Sequence, residues 1–277
     1  MDQRKFKPFK GEKRVGGGSF PRKPQAPKPK QSSLIIGRQP VMEALNAGKA
    51  IERIFMLRNA GGEIMTEIRN LAMGKQVPIN LVPAEKLDSL TQVTHQGIIA
   101  ITAKVSYLDL QDVISHVIES GETPLFLILD GITDVRNIGA IARSAVCCGA
   151  QAIIIPDKGI AALNEEAVKS SAGALERISV CRVNSLLKAV DTLHLNGIRV
   201  VASEMTAEQK LFDANWQEPI AIIMGSEDKG VYPALLKAAD GVFNIPMAGG
   251  FESFNVSVAA GIILYEAMKQ RLLAAGA

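Results

Sequence analysis

Three short segments of this chain hold the side chains best suited to chemistry. The first, Asp130-Gly131-Ile132-Thr133-Asp134-Val135-Arg136-Asn137-Ile138-Gly139, leads into a helix that carries Arg143. An Asn and an Arg six positions apart across a helix N-terminus can both face a ligand lying there. The amide donates and accepts, and the guanidinium stays cationic. Taken singly, Asn137 reads as an N-cap and Arg143 as a solvated helix residue. The second segment is Gly225-Ser226-Glu227-Asp228-Lys229-Gly230. Its outer glycines have P-loop spacing, but Val231 and Tyr232 stand where Lys and Ser or Thr are required, which excludes a nucleoside triphosphate site. Glu227 at the second glycine position also excludes the dinucleotide fingerprint. What remains is a tight turn whose glycines supply unusual dihedrals. The third segment runs from Ile245-Pro246-Met247 through Gly249 and Gly250 to Ser253-Phe254-Asn255, where Ser253 reads as the N-cap of a long apolar helix. Any one segment is unremarkable alone; their convergence on one place would make a site.

The elements between them would bring that convergence about. Apolar runs at Leu125 to Leu129, Ala152 to Ile155, Ile178 to Val180, Arg199 to Ala202, Ile220 to Met224 and Val242 to Ile245 are continuous rather than alternating. That is the mark of parallel strands covered on both faces. Helical stretches lie between them at Gly139 to Cys148, Ser185 to His194 and Tyr232 to Ala239, with a last one from Val256 to about Leu273. The pattern predicts a doubly wound α/β domain over residues 123–277, with ligands bound beyond the carboxyl ends of the strands, in the loops after Leu129, Met224 and Ile245. Residues 33–104 read as a smaller α/β domain: helices over Val41 to Asn46 and Glu63 to Met73 and from Ala84, and strands at Arg53 to Leu57, Val77 to Leu81 and Gly97 to Thr102. Residues 105–122 read as a helix-bearing linker, with Leu108, Leu110, Val113, Ile114 and Val117 on roughly one face, that could belong to either neighbouring domain.

Charge is distributed unevenly. Residues 1–32 contain ten Lys or Arg against Asp2 and Glu12, a net of +8, which leaves 21 basic and 26 acidic residues, or −5, in the remainder. With Gly16 to Gly18, repeated prolines and few apolar residues, the tail is predicted to be disordered. It is either an arm that binds RNA by counterion release or a solubilising extension. No apolar run approaches the length of a membrane span, and no secretory h-region follows the N-terminus. Three cysteines give neither a disulfide framework nor metal spacing, and His95, His116 and His194 lie outside the three segments, so a cytoplasmic protein without a metal is expected.

The segments Asn137-Ile138-Gly139-Ala140-Ile141-Ala142-Arg143-Ser144-Ala145, Met224 to Gly230 and Ile245 to Val256 resemble, in order and separation, the three signature motifs of one family. This is the SpoU (TrmH-like) branch of the SPOUT superfamily, the S-adenosylmethionine-dependent RNA 2′-O-ribose methyltransferases. Ser171-Ala172-Gly173-Ala174, Gly37 with Val41 to Leu45, and Thr94-His95-Gln96-Gly97 are similar too. The first domain looks like the ribosomal-protein-like RNA-binding module of bacterial 23S rRNA guanosine-2′-O-methyltransferases. Two departures stand out: Phe254 where the family has Leu, and Asp134-Val135-Arg136 where it has Asp-Pro-His or Asp-Pro-Arg.

The resemblance implies a C-terminal trefoil knot, which the general rarity of threaded chains would not suggest. It also implies a homodimer in which first-motif residues act beside the partner's cofactor. By the same resemblance Asn137, Arg143, Glu227, Ser253 and Asn255 position or activate the substrate, with Glu227 orienting Arg143. Ser203, Glu204, Met205, Gly225, Ile245, Met247, Ser253 and Phe254 hold S-adenosylmethionine. The reaction needs a ribose 2′-hydroxyl aligned with a sulfonium methyl and relieved of its proton. Arg143 is either a base of depressed pKa or a cation that stabilises developing alkoxide and holds a phosphate. The partner is RNA, most simply rRNA. A tRNA ribose methyltransferase, or a non-catalytic RNA-binding or ribosome-assembly protein on the same fold, are the alternatives.

Overall fold

The structure is a computed structural model and describes residues 33–250 and 253–276; the basic tail, and the disorder expected of it, lie outside the described residues. The chain opens with β1 (Leu34–Ile36), α1 (Arg38–Asn46), β2 (Ile51–Leu57), α2 (Glu63–Gly74), β3 (Ile79–Val82), α3 (Ala84–Asp88) and β4 (Ile98–Thr102). These strands form a four-stranded sheet ordered β1-β4-β2-β3, antiparallel except for the β2–β3 pair. The strand β1, absent from the sequence reading, is too short to show a periodicity and is held by pairing with β4.

There follow β5 (Tyr107–Leu108), α4 (Leu110–Glu119), β6 (Leu125–Leu129), α5 (Val135–Cys147), β7 (Ala152–Pro156), α6 (Glu165–Ser170), β8 (Ser179–Val183), α7 (Leu186–Leu195), β9 (Arg199–Ser203), β10 (Ile220–Met224), α8 (Pro233–Ala238), β11 (Gly241–Phe243) and α9 (Val256–Ala274). Their strands build a parallel seven-stranded sheet ordered β11-β9-β10-β6-β7-β8-β5. Both faces are covered. Leu125, Leu127 and Leu129 enter the apolar layer shared with α5 and α9, while Phe126 and Ile128 enter the layer shared with α4 and α7. All five are at most 1% exposed, which at about 1.5–3 kcal/mol per buried large side chain explains why the strand reads as one apolar run.

The segment 105–122, read as a helical linker, is built into this second sheet. Tyr107 and Leu108 form an edge strand beside β8, and Leu110, Val113, Ile114 and Val117 bury against it in α4. Leu108 does not share their face: as a strand residue it is 45% exposed. Sheet order reverses between β6 and β10, since β6 leads outward to β7 and β10 leads, through α8, to β11 on the other side. Loops leaving adjacent strands in opposite directions open a crevice at their carboxyl ends. The far end of α9 is anchored by Arg271, whose guanidinium donates to the carbonyls of Thr123, Pro124, Trp216 and Glu218 at 2.7–2.9 Å. Along its length α9 packs on α5 closely enough that a Cβ on Gly261 would lie 3.5 Å from Ser144 Oγ. Its first residues are thereby aimed at the crevice. Among the described residues no helix is long and apolar enough to cross a membrane.

Candidate active site

Each of the three segments is fixed locally before it contributes to the site. After β10 the chain folds back on itself: Ser226 and Gly230 exchange backbone hydrogen bonds of 3.1 and 2.9 Å, and Ser226 Oγ accepts from Lys229 N at 3.2 Å. Gly230 takes the positive φ of 66° expected of a turn glycine. Gly225 is required for a different reason. A Cβ there would lie 2.1 Å from the Gly230 carbonyl carbon and 2.2 Å from Val231 N, so the loop can close on its own stem only without a side chain.

At the tip of this loop Glu227 Oε1 accepts from Asn137 Nδ2 at 3.0 Å, from Val256 N at 3.3 Å and, in a short contact, from Asn255 Nδ2. Asn255 also donates to Asn137 Oδ1 at 3.2 Å. One carboxylate oxygen thus ties all three segments together at the start of α9, where negative charge is favoured. Asn255, not Ser253, caps that helix: its Oδ1 accepts from Ser257 N and Ser257 Oγ at 3.0 and 2.6 Å. Ser253 stays exposed at the rim. In the first segment the N-cap is Asp134, which accepts from Arg136 N at 2.8 Å and whose carboxyl is held below its ordinary range by the Arg136 side chain and backbone.

The helix α5 therefore begins at Val135 rather than Gly139, which puts both Asn137 and Arg143 inside it. At 3.6 residues per turn they leave the helix about 120° apart, so they do not share a face. Asn137 meets Glu227. Arg143 is exposed and, among the described residues, has no hydrogen-bond or ion-pair partner, so Glu227 orients the two asparagines and not Arg143.

Beside this network lies a cavity of about 560 Å³, a size usual for small-molecule sites. Ser203, Glu204, Met205, Gly225, Ile245, Met247, Ser253 and Phe254 all line it, as does Glu227; Asn137, Arg143 and Asn255 do not. Its walls come from the chain after β9, β10 and β11, while the segment after β6 stays outside them and reaches the cavity only indirectly, as where Asn137 donates to Glu227. Met205, Met247 and Phe254 are 61%, 37% and 40% exposed, an apolar rim suited to a flat ring. Carboxylates at Glu204, Glu227 and Asp228 and ammonium groups at Lys210 and Lys229 provide partners for a ligand that carries both signs of charge.

Lys210 and Asn244 also line the cavity, and no motif pointed to them. They meet in an isolated parallel bridge that prolongs the edge of the sheet, a contact between positions 34 apart that local spacing does not reveal. The histidines are elsewhere: His95 is bonded to Asp88 and His194 to Asp240, each at 3.0 Å, and His116 lies in α4.

Residues 124–265 match the SpoU rRNA Methylase family, and residues 34–108 match the RNA 2′-O ribose methyltransferase substrate binding family. YacO of Bacillus subtilis strain 168, whose name places it in the TrmH family of tRNA/rRNA methyltransferases, is 34% identical over 241 residues, 87% of this chain and 97% of its own length. A crystal structure of an RNA 2′-O ribose methyltransferase is similar with a TM-score of 0.51 at 26% identity, covering 86% of this chain and 88% of the other. The SpoU methyltransferase AviRb from Streptomyces viridochromogenes, solved in complex with AdoMet, is similar with a TM-score of 0.56 at 25% identity, over 87% and 90% of the two chains.

Proposed function

Because the chain belongs to the SpoU rRNA Methylase family, we propose that it methylates a guanosine ribose of 23S rRNA, as a homodimer in the cytoplasm. It is an RNA 2′-O-ribose methyltransferase, and S-adenosylmethionine is its methyl donor. The cavity suits that cofactor in size, in its apolar rim and in its paired carboxylates and ammonium groups. Ser203 to Met205, Gly225, Ile245, Met247, Ser253 and Phe254 would hold it, with Phe254 offering a larger apolar face than the usual Leu. Bound there, S-adenosylmethionine supplies an electrophilic methyl group on a sulfonium.

The chain's own residues have the remaining work. The observation that carries the reading is the Asn137–Glu227–Asn255 network at the cavity wall, which fixes two amides where a ribose can be aligned. As the 2′-oxygen bonds to the methyl carbon it must lose its proton, and negative charge develops on it before transfer is complete. The Arg143 guanidinium is the group to stabilise that charge, from outside its own chain's cavity, as a site shared across a dimer would have it. The trefoil knot belongs to the same reading and is supported by the meeting of the loops after β10 and β11 at one cavity.

The choice of rRNA draws on the turn at 94–97. There His95 Nδ1 accepts from Gly97 N at 3.0 Å, which makes Nε2 the donor to Asp88 Oδ1 and fixes the ring. Gln96 is held at a φ of 52°, with its backbone and side-chain oxygens both bonded to Arg38 at 3.1 Å. A rigid polar turn of this kind is suited to reading a folded RNA. Mapping ribose methylation across total RNA from a deletion strain and its complement tests the proposal. A methyl group lost from a 23S guanosine and restored by the complement is expected, whereas loss from a tRNA ribose would move the substrate to the alternative.

A further inference from the structure

The strand β2 contains an irregularity: its pairing with β4 shifts register between Ile51 and Arg53, which leaves Glu52 out of the ladder. A bulge residue must find other partners for its backbone. Here the partner comes from the other sheet. Arg182 in β8 donates from Nη1 to the Glu52 carbonyl at 2.7 Å and from Nη2 to the Ile51 carbonyl at 3.1 Å. The same guanidinium lies 3.8 Å over the ring of Tyr107 in β5, and the Tyr107 hydroxyl donates to the Glu52 carboxylate in a short contact. Arg182 is 7% and Glu52 9% exposed. A guanidinium this buried is tolerated only where its hydrogen bonds are in register. Nη1 and Nη2 are bonded while Nε has no partner among the described residues, so the two carbonyls hold it and few relative placements of the two sheets would keep both bonds.

We infer that Arg182 is a positioning residue for RNA methylation: it locks the four-stranded unit onto the seven-stranded one, so that an RNA held by the first is presented to the site of the second at one fixed distance and angle. This rests on the reading above that the first unit holds the RNA. Arg182, Tyr107 and Glu52 lie in no motif of the site and line no part of its cavity. Their contribution is to keep the second contact at high effective concentration once the first has formed, and a loosened joint dilutes it.

The test uses the full chain with spin labels at exposed Met73 and Leu195, one on each unit, in a background where Cys147 and Cys148 are serine. RNA from a strain lacking the gene is the substrate. Arg182→Met is expected to broaden the label-to-label distance distribution and to raise KM for this RNA roughly tenfold, while kcat at saturating RNA and S-adenosylmethionine affinity stay within about twofold. Tyr107→Phe should shift both readouts in the same direction by less, and Arg182→Lys, which keeps the charge but not the fork to two carbonyls, should recover part of the loss. An unchanged distance distribution, or a broadened one with unchanged KM, overturns the inference. Should Arg182→Met fail to fold, the other two variants decide by the same pair of readouts. Failure of the unaltered protein to methylate the RNA would instead overturn the functional reading, which the distance measurement does not depend on.

Discussion

Asn255 donates to the amide oxygen of Asn137 across 3.2 Å, although 118 residues separate them, and the amide nitrogens of both donate to Glu227 Oε1. The orientation of each amide is thus set by the other two groups. Asn137→Ala is expected to lower kcat roughly 10²-fold, the scale of losing one preorganised donor. S-adenosylmethionine affinity should hardly change, since Asn137 does not line the cavity. Asn137→Asp should be worse than Ala at neutral pH, because it sets a second carboxylate against Glu227. Methyl transfer assays and calorimetry read the two effects, and near-normal turnover of the Asp variant would remove the network from the mechanism.

Arg143→Ala is expected to cost several kcal/mol of transition-state stabilisation with cofactor binding nearly intact. If the site is shared, mixing these chains with chains disabled by Ser203→Phe in the cavity restores activity, because each heterodimer then holds one intact cavity facing one intact Arg143. Ser203 is preferable to Gly225 for this purpose, since any side chain at Gly225 would meet the backbone of Gly230 and Val231. Verified heterodimers without recovered activity would assign Arg143 to its own chain's site.

Gly139 and Gly249 separate packing from flexibility. A Cβ on Gly139 would fall 1.9 Å from Ser170 Oγ and 2.8 Å from Ala167 O and Ser171 N, where α5 touches the backbone of α6. Gly139→Ala should therefore cost about 1–3 kcal/mol or more in chemical denaturation. Gly249→Ala meets nothing within 4 Å and should stay within about 0.5 kcal/mol of the parent.

Alkaline stability should carry the signature of Cys181. Burial, and then the Asp109 carboxylate, push its thiol up from 9.0 to about 12. The unfolded chain therefore ionises first. Stability is complete below pH 9 and is lost as pH rises toward 12, by up to about 4 kcal/mol from this group. Tyr107, raised by burial and by Glu52, acts in the same direction above 10.0. Denaturation midpoints of Cys181→Ala against pH should show a flatter alkaline limb than the parent, and equal slopes would discount the thiol.

Removing residues 1–32 takes away a net +8. RNA affinity should fall and depend less steeply on salt, with S-adenosylmethionine affinity unchanged. Equal salt slopes with and without the tail would leave it a solubilising extension.

The parallel sheet was legible in the sequence because strands buried on both faces must be apolar at every position, as β6, β7 and β10 are. The cavity wall was legible for a related reason: chain that leaves such strands at their carboxyl ends has to bring Gly225, Ile245 and Phe254 near one another. Directions and distant pairings were not. Whether Asn137 and Arg143 face one ligand depends on where α5 starts, and that was settled by Asp134 capping the helix at Val135. Glu227 could have turned toward Arg143; loop closure and the anchoring of α9 by Arg271 brought it to Asn137 and Asn255 instead. Residues 105–122 carried no signal for joining the second sheet, because a two-residue strand has no periodicity and is defined only by its neighbour β8. Arg182 lay beyond the strand read at Ile178 to Val180, which the structure extends to Val183. Its role exists only because a bulge 130 residues earlier leaves a carbonyl free to meet it, and such a match is made by the packing of two units, not by the composition of either.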